Sequence, residues 1–385
     1  MPRSPKDADG CLTERLAAAQ WGASWDGTGA EPTLDLRYAP DEDGLLDPAP
    51  RAVWASLAAG SGNAADHASH YAVDDPYGAR RGAPVVSKFF NRDIRAEQLT
   101  FGAGVTSLLH DVSRLADGRA VVAPALVHSD LEVWAAAQGS AIHFFPDTAT
   151  VDELEAIIHD VRPGVLHFDR PAFTGELATG RTFERLLNVA SDNDTIVVID
   201  EGPATYLGAR VSAVRYIDAT DKLVVLRGFT KAYSLGGMRA GYAVASSDIA
   251  HRVRDVMTPL QIGEIALAVA LRLLAAGDVF ALLVSRIRRR KPEVQRLLNG
   301  AGFETLAGES DLPWIAVVDD TGRSICRLRE RGIRPLLPTT SAAFPDAYRE
   351  HGRGIFRLTI PLSDDRLASL HTLLLGPDGR RVGRL

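Results

Sequence analysis

The sequence predicts an α/β protein: a large domain whose mostly parallel sheet is covered by helices, followed by a smaller α+β domain. From Leu99 onward, short apolar runs alternate with amphipathic stretches in a β-α-β rhythm. After Ser246 that rhythm gives way to long helical stretches and then to short strands mixed with helices. Lys231 and Asp200 both fall just where a buried-strand run ends, and open parallel sheets place their ligands at the carboxyl ends of their strands.

In chain order, residues 1–50 are rich in Pro, Gly and Asp, with one short helical piece around Leu12–Ala19. They read as an arm, expected to lie across a neighbouring subunit. Arg51–Ala59 is helical, and the polar stretch Gly60–Gly82 reads as a long loop, of a length that is usually functional or disordered, carrying Tyr71 and Tyr77. Seven strands are expected, at Leu99–Gly102, Ala120–Leu126, Ala141–Phe145, Val165–Phe168, Thr195–Asp200, Leu223–Leu226 and Gly241–Ala245. Val105–Leu115, Asp130–Gln138, Val151–Asp160 and Thr182–Ser191 are the helices between them, and right-handed crossovers gather the strand ends on one edge. Beyond Ser246, Ile249–Met257 and a long segment from Glu264 to about Asn299 are helical. Strands Trp314–Val318 and Ile355–Ile360 then alternate with helices Gly322–Arg331 and Asp364–Leu375. The expected divisions are an arm over 1–50, a large domain over 51–265 and a small domain over 266–385.

Bulk properties narrow the function classes. A chain of 385 residues suits two domains, and 46% hydrophobic with 24% charged residues is the composition of a soluble globular protein. A formal charge of −6 gives no general drive towards nucleic acid or anionic membrane. The two cysteines, Cys11 and Cys326, are far apart and make no metal-ligand spacing, so no metal site is expected and the expected compartment is the reducing cytoplasm. No stretch approaches the roughly 20 apolar residues of a membrane span. MPRSPKDADG is charged but has no apolar run behind it, so no secretory signal is expected.

The chemistry concentrates in Leu223–Ser246, LVVLRGFTKAYSLGGMRAGYAVAS. A buried-strand run breaks at Gly228 and presents Thr230 and Lys231; Arg239 follows eight positions after the lysine. Enclosure by protein disfavours the ammonium form, and a neutral lysine amine adds to an aldehyde. Upstream, TIVVID ends on the Asp200 carboxylate. In FGAGV, Phe101–Val105, a strand runs into a helix, so the backbone N–H groups of Gly102, Ala103, Gly104 and Val105 can face an anion. The turn lacks the further glycine of a dinucleotide fingerprint.

With VVIDE at Val197–Glu201 and TKAYSLGGMRAGY at Thr230–Tyr242, the chain resembles the fold-type I pyridoxal 5'-phosphate (PLP) enzymes of the class I/II aminotransferase family, near the histidinol-phosphate aminotransferase branch. The resemblance implies PLP bound to Lys231 as a Schiff base, with Asp200 on the ring nitrogen and Thr230 and Arg239 on the phosphate. It also implies that His128, eleven residues before Gly139, stacks on the ring, and that Arg357 in IFRLTIP receives the substrate α-carboxylate. Tyr71 or Tyr77 would reach the PLP phosphate of the partner in a homodimer, while Glu201 would be a structural hydrogen-bonder. The implied activity is chemistry at Cα of an L-amino acid through an external aldimine and a quinonoid, with amino transfer the default. The same early steps also serve β- or γ-elimination, replacement or cyclisation, and a fold that has lost its chemistry would be a binding protein.

Three positions depart from the family pattern. Its NPTG turn reads AFTG at Ala172–Gly175, and the tyrosine three past the aspartate falls on Pro203. Both family residues serve the cofactor's phenolic oxygen, which leaves Arg170, Asp169 or water to satisfy it. Tyr206, the nearest phenol, matches a packing position. Gly228 stands where a hydroxyl residue is common, removing one phosphate donor.

Overall fold

A computed structural model describes residues 33–375 apart from 47, 59–61, 129, 147–148, 320–322 and 338–353. The helical piece expected around Leu12–Ala19 and Cys11 lie outside the described residues. The strands are β1 (Leu34–Asp35), β2 (Leu99–Gly102), β3 (Val121–Pro124), β4 (Ile142–Phe145), β5 (Val165–Asp169), β6 (Ile196–Asp200), β7 (Leu223–Gly228) and β8 (Gly241–Ala245), then β9 (Glu304–Thr305), β10 (Trp314–Val318), β11 (Ile333–Arg334) and β12 (Ile355–Thr359). Strands β2 to β8 form one seven-stranded sheet in the order β2-β8-β7-β6-β5-β3-β4. All seven occupy the apolar runs of the sequence, because strands covered by helices on both faces must be apolar on both faces. Only β8 runs against its neighbours β7 and β2; the other pairs are parallel.

The covering helices are α1 (Ala49–Ala58), α2 (Ala64–Ala68), α3 (Ala79–Phe90), α4 (Val105–Ser113), α5 (Leu131–Ala137), α6 (Val151–Val161), α7 (Gly180–Asp192), α8 (Ser247–Val256), α9 (Glu264–Ala276), α10 (Ala281–Gly300), α11 (Arg323–Glu330) and α12 (Asp364–Leu375). Two differ from expectation. The stretch read as one loop to Gly82 contains α2, capped by the Asn63 side chain, and the start of α3. Gly82 is there for close packing: a Cβ on it would lie 2.4 Å from the Phe101 ring on β2. The single helical segment from Glu264 is two helices, α9 and α10, bent by 75° at a break where Gly277 takes φ +80°. Among the described residues no single helix is long and apolar enough to cross a membrane.

The smaller unit has a three-stranded antiparallel sheet, β12-β10-β9, packed on α10. The described part of the arm lies on its own chain: β1 pairs in parallel with β11, and the Leu36 carbonyl accepts from Thr359 N–H. Helix α9 packs against α1, α2 and α3. We therefore propose that the large unit extends to Gly277 and that the expected boundary at residue 265 moves to that bend.

Candidate active site

Because β8 alone is reversed, one edge of the large sheet collects the carboxyl ends of β2, β3, β5, β6 and β7 together with the amino end of β8. Along that edge stand the Gly102–Val105 turn, His128, Asp169, Asp200, Lys231 and Arg239. Residues separated by up to 137 positions are thus brought together by topology.

Lys231 stays in contact with solvent, yet protein groups crowd it, and its amine has no hydrogen-bond or ion-pair partner among the described residues. Burial lowers its pKa, the Arg357 cation lowers it further, and Asp200, Glu42 and Asp169 act against them. A larger share of neutral amine at a given pH is the result. Asp200 accepts from Gly202 N–H at 2.7 Å. Burial first, then the neighbouring Asp169 carboxylate, push its pKa up to about 6. A cation placed against Asp200 would reverse that shift, so this end of β6 is suited to a protonated ring nitrogen.

At the other end of the site, Arg239 lies over the turn after β2. Its guanidinium donates to the Gly236 carbonyl at 3.0 Å and to the Ala103 carbonyl at 3.4 Å. Gly104 takes φ +85°, and a Cβ there would lie 2.8 Å from Arg239 Nη2, so glycine is needed for both conformation and space. The turn's donors are fewer than expected. Ala103 N–H is taken by Gln261 Oε1 at 3.0 Å, and Gly104 N–H turns back to the Gly102 carbonyl at 2.8 Å. The donors left for an anion come from Val105 and the rest of the first turn of α4, where the helix dipole helps. Thr230 and Arg239 both open to solvent on this side. Gly228 is explained by its neighbour: a Cβ would lie 2.6 Å from Val105 Cγ2, so the place of the hydroxyl is filled by valine.

Arg357, on β12 of the small sheet, reaches across to the turn after β5. Its Nε donates to the Phe173 carbonyl at 2.5 Å and its Nη2 to the Ala172 carbonyl at 3.2 Å, with the Phe173 and Trp314 rings 4.0 and 4.4 Å from its guanidinium carbon. The AFTG turn thereby orients the arginine through its backbone. His128 follows β3 and stacks on Trp134 at 5.4 Å between centroids; burial lowers its pKa, which favours the neutral ring. Its charge field reaches Asp169 and Lys231. Tyr71 is 82% exposed and is not brought to this subunit's site, while Tyr77 is half-buried and donates to the Arg254 carbonyl at 3.4 Å.

Arg170 does not serve the cofactor side. It is buried and donates to Glu201 Oε1 at 2.7 Å and to the Val211 and Ala178 carbonyls. Glu201 also accepts from Arg227 at 2.8 Å, Ser212 Oγ at 2.5 Å and Ala213 N–H at 2.7 Å. Three contributors escaped the sequence reading. His167 Nε2 lies 3.0 Å from Asp169 Oδ1, a pairing signalled by the i, i+2 spacing in HFD. Gln261 ties Ala103 to Asp111, and nothing local marks it. Glu42, on the arm, is 4% exposed and accepts from the Tyr206 hydroxyl at 2.8 Å; its Oε1 has no partner among the described residues.

The family model for aminotransferase class I and II matches residues 84–334, well over half of the chain. The chain belongs to that family. An aromatic amino acid aminotransferase of Cutibacterium acnes is 32% identical over 149 residues, 38% of this chain and 42% of that protein. Histidinol-phosphate aminotransferase 1 of Mesorhizobium japonicum is 28% identical over 242 residues, 60% of this chain and 64% of that protein. Both matches span less than two thirds of the relative's length. Among solved structures, the histidinol-phosphate aminotransferase of Sinorhizobium meliloti in complex with pyridoxal 5'-phosphate superposes with a TM-score of 0.70 at 17% identity, covering 91% of this chain and 92% of that one. The fold is the type I PLP-enzyme fold.

The residues present fit PLP. Lys231 offers an unpaired amine for the aldehyde, Asp200 an undercompensated carboxylate for the ring nitrogen, and the Gly104–Arg239 cradle with the start of α4 a seat for the phosphate. Neither Ala172 nor Pro203 offers a donor to the phenolic oxygen.

Proposed function

We propose that this aminotransferase-family chain transfers the amino group of an L-amino acid with PLP as its cofactor. The observation that carries this is the convergence of Lys231 and Asp200, which follow neighbouring strands on one sheet edge, with the Arg357 guanidinium that reaches from the second sheet to the turn after β5. When bound, the cofactor supplies an electron sink conjugated to the substrate's Cα. Asp200 would keep its ring nitrogen protonated, and Arg239 with the first turn of α4 would hold its phosphate. Arg357, stiffened between two aromatic rings and two carbonyls, presents a planar fork suited to an α-carboxylate. The neutral Lys231 amine can then take the Cα proton and return it elsewhere.

The site supports a homodimer, since Tyr71 is exposed and the family's tyrosine in this region serves the partner's phosphate. Cys326 is free and exposed, which accords with a reducing compartment such as the cytoplasm. Borohydride reduction of the protein incubated with PLP, followed by peptide mass mapping, is expected to place the cofactor on Lys231. Adding an amino acid to the unreduced protein is expected to bleach the visible absorbance. Cofactor fixed to another lysine, or none fixed, overturns the proposal.

A further inference from the structure

We infer that Asp169 is a second cofactor-facing carboxylate, carried on the strand beside Asp200 and held by His167, on the flank where Ala172 and Pro203 leave no donor. The inference rests on the PLP reading of the site. His167 and Asp169 are two apart on β5, so both project from one face of the sheet. The parallel register of β5 and β6 sets Asp169 directly against Asp200. His167 is only 1% exposed and lies 3.0 Å from Asp169, which fixes where that carboxylate points.

Four titratable groups face Asp169: His167 from its own strand, His128 beyond β3, Asp200 on β6 and Lys231 beyond β7. Three of them are site residues, and Asp169 stands among them. Glu201, fully buried, is saturated by four donors, whereas the Asp169 side chain keeps 20% of its surface exposed. Asp169 has instead one imidazole and a like charge next to it, an arrangement that favours a cation brought between the strands.

The chemistry of the cofactor gives the orientation. Its aldehyde carbon is flanked by the phosphate arm on one side and the phenolic oxygen on the other. The phosphate seat lies on the β8 and β2 side of Lys231, and β5 lies on the opposite side, beyond β6. A cofactor seated with its phosphate there would present its phenolic edge to the flank that holds Asp169. Amide and phenol donors on that edge would stabilise the deprotonated oxygen; a carboxylate would do the reverse and hold the site's proton in place to higher pH.

The test is an absorbance titration against pH of the full-length, PLP-loaded protein. Asp169→Asn is expected to move the spectral transition to lower pH by about one unit or more, the shift typical of an opposite charge lost within contact distance. Ala172→Asn, which adds an amide donor on the same edge, is expected to move it in the same direction and provides the measurement if the first variant does not fold. A transition that stays where the parent has it, in either variant with cofactor bound, overturns the inference. Absence of any visible band or of Lys231 modification in the parent protein would instead overturn the PLP reading.

Discussion

Asp200 and Glu201 are neighbours in sequence and opposites in environment. Strand alternation sends Asp200 to the face that opens on the site and Glu201 to the face packed inside. Glu201 is fully buried and meets two guanidiniums, a hydroxyl and a backbone N–H. Asp200 has a single N–H donor; burial first, then the neighbouring Asp169 carboxylate, raise its pKa to about 6 against that hydrogen bond. One acid is complete without a ligand and fixes the strand ends; the other is left needing a cation. The preorganised half of the site is built behind the sheet edge, and the reactive half in front of it.

If the back of the edge holds the geometry, breaking it should give the largest effect on stability. Glu201→Gln leaves the Arg170 and Arg227 guanidiniums buried around a neutral amide. Breaking one partner of such a buried cluster costs about 3–5 kcal/mol, read from urea denaturation. A loss below about 1 kcal/mol, the scale of an exposed pair, would erase the distinction drawn between the two acids.

What the sequence revealed follows from the same contrast. The strands were legible because apolar runs bounded by Gly, Asp and Asn are local signals, and Lys231 and Asp200 were legible because each ends such a run. The start of helix α3 was hidden because Gly78 and Gly82 look like loop residues, whereas Gly82 serves the contact with Phe101. The bend after α9 was hidden in an unbroken helical pattern. Arg170 could be weighed as a cofactor contact only because its real partner, Glu201, is 31 residues away. The Glu42–Tyr206 pair spans 164 residues and leaves no trace in any window of sequence.

Glu42 lies between the two extremes, with one partner and one orphan oxygen, and it predicts a pH dependence. Burial first, with Asp41 adding to it, raises its pKa from 4.5 to about 7, against the opposing effects of Tyr206 and Lys231. The folded state thus holds a proton that the unfolded state has already lost over that interval, and stability must fall as pH rises from about 4.5 to about 7. Gln at this position does not titrate. Relative to the parent, Glu42→Gln should be indifferent or slightly worse below pH 4.5 and gain up to about 3 kcal/mol above pH 7, where the parent's buried carboxyl has lost its proton. Thermal unfolding of the cofactor-free protein at several pH values checks this. An unchanged difference across the range would mean that the arm carboxylate is solvated.

The smallest effect probes the phosphate side, where the sequence departs from its family through one glycine. Gly228 lacks a side chain because Val105 Cγ2 fills its space, so the two positions form one packing unit although 123 residues separate them. Gly228→Ser alone should cost about 1–2 kcal/mol by overpacking. Combined with Val105→Ala, which vacates that space, the loss should shrink, and the restored hydroxyl should tighten PLP retention in dialysis. Contacting residues must couple in this way, whereas independent sites add. Additive losses would place the valine and the glycine in separate environments and reopen the question of why a phosphate donor is missing there.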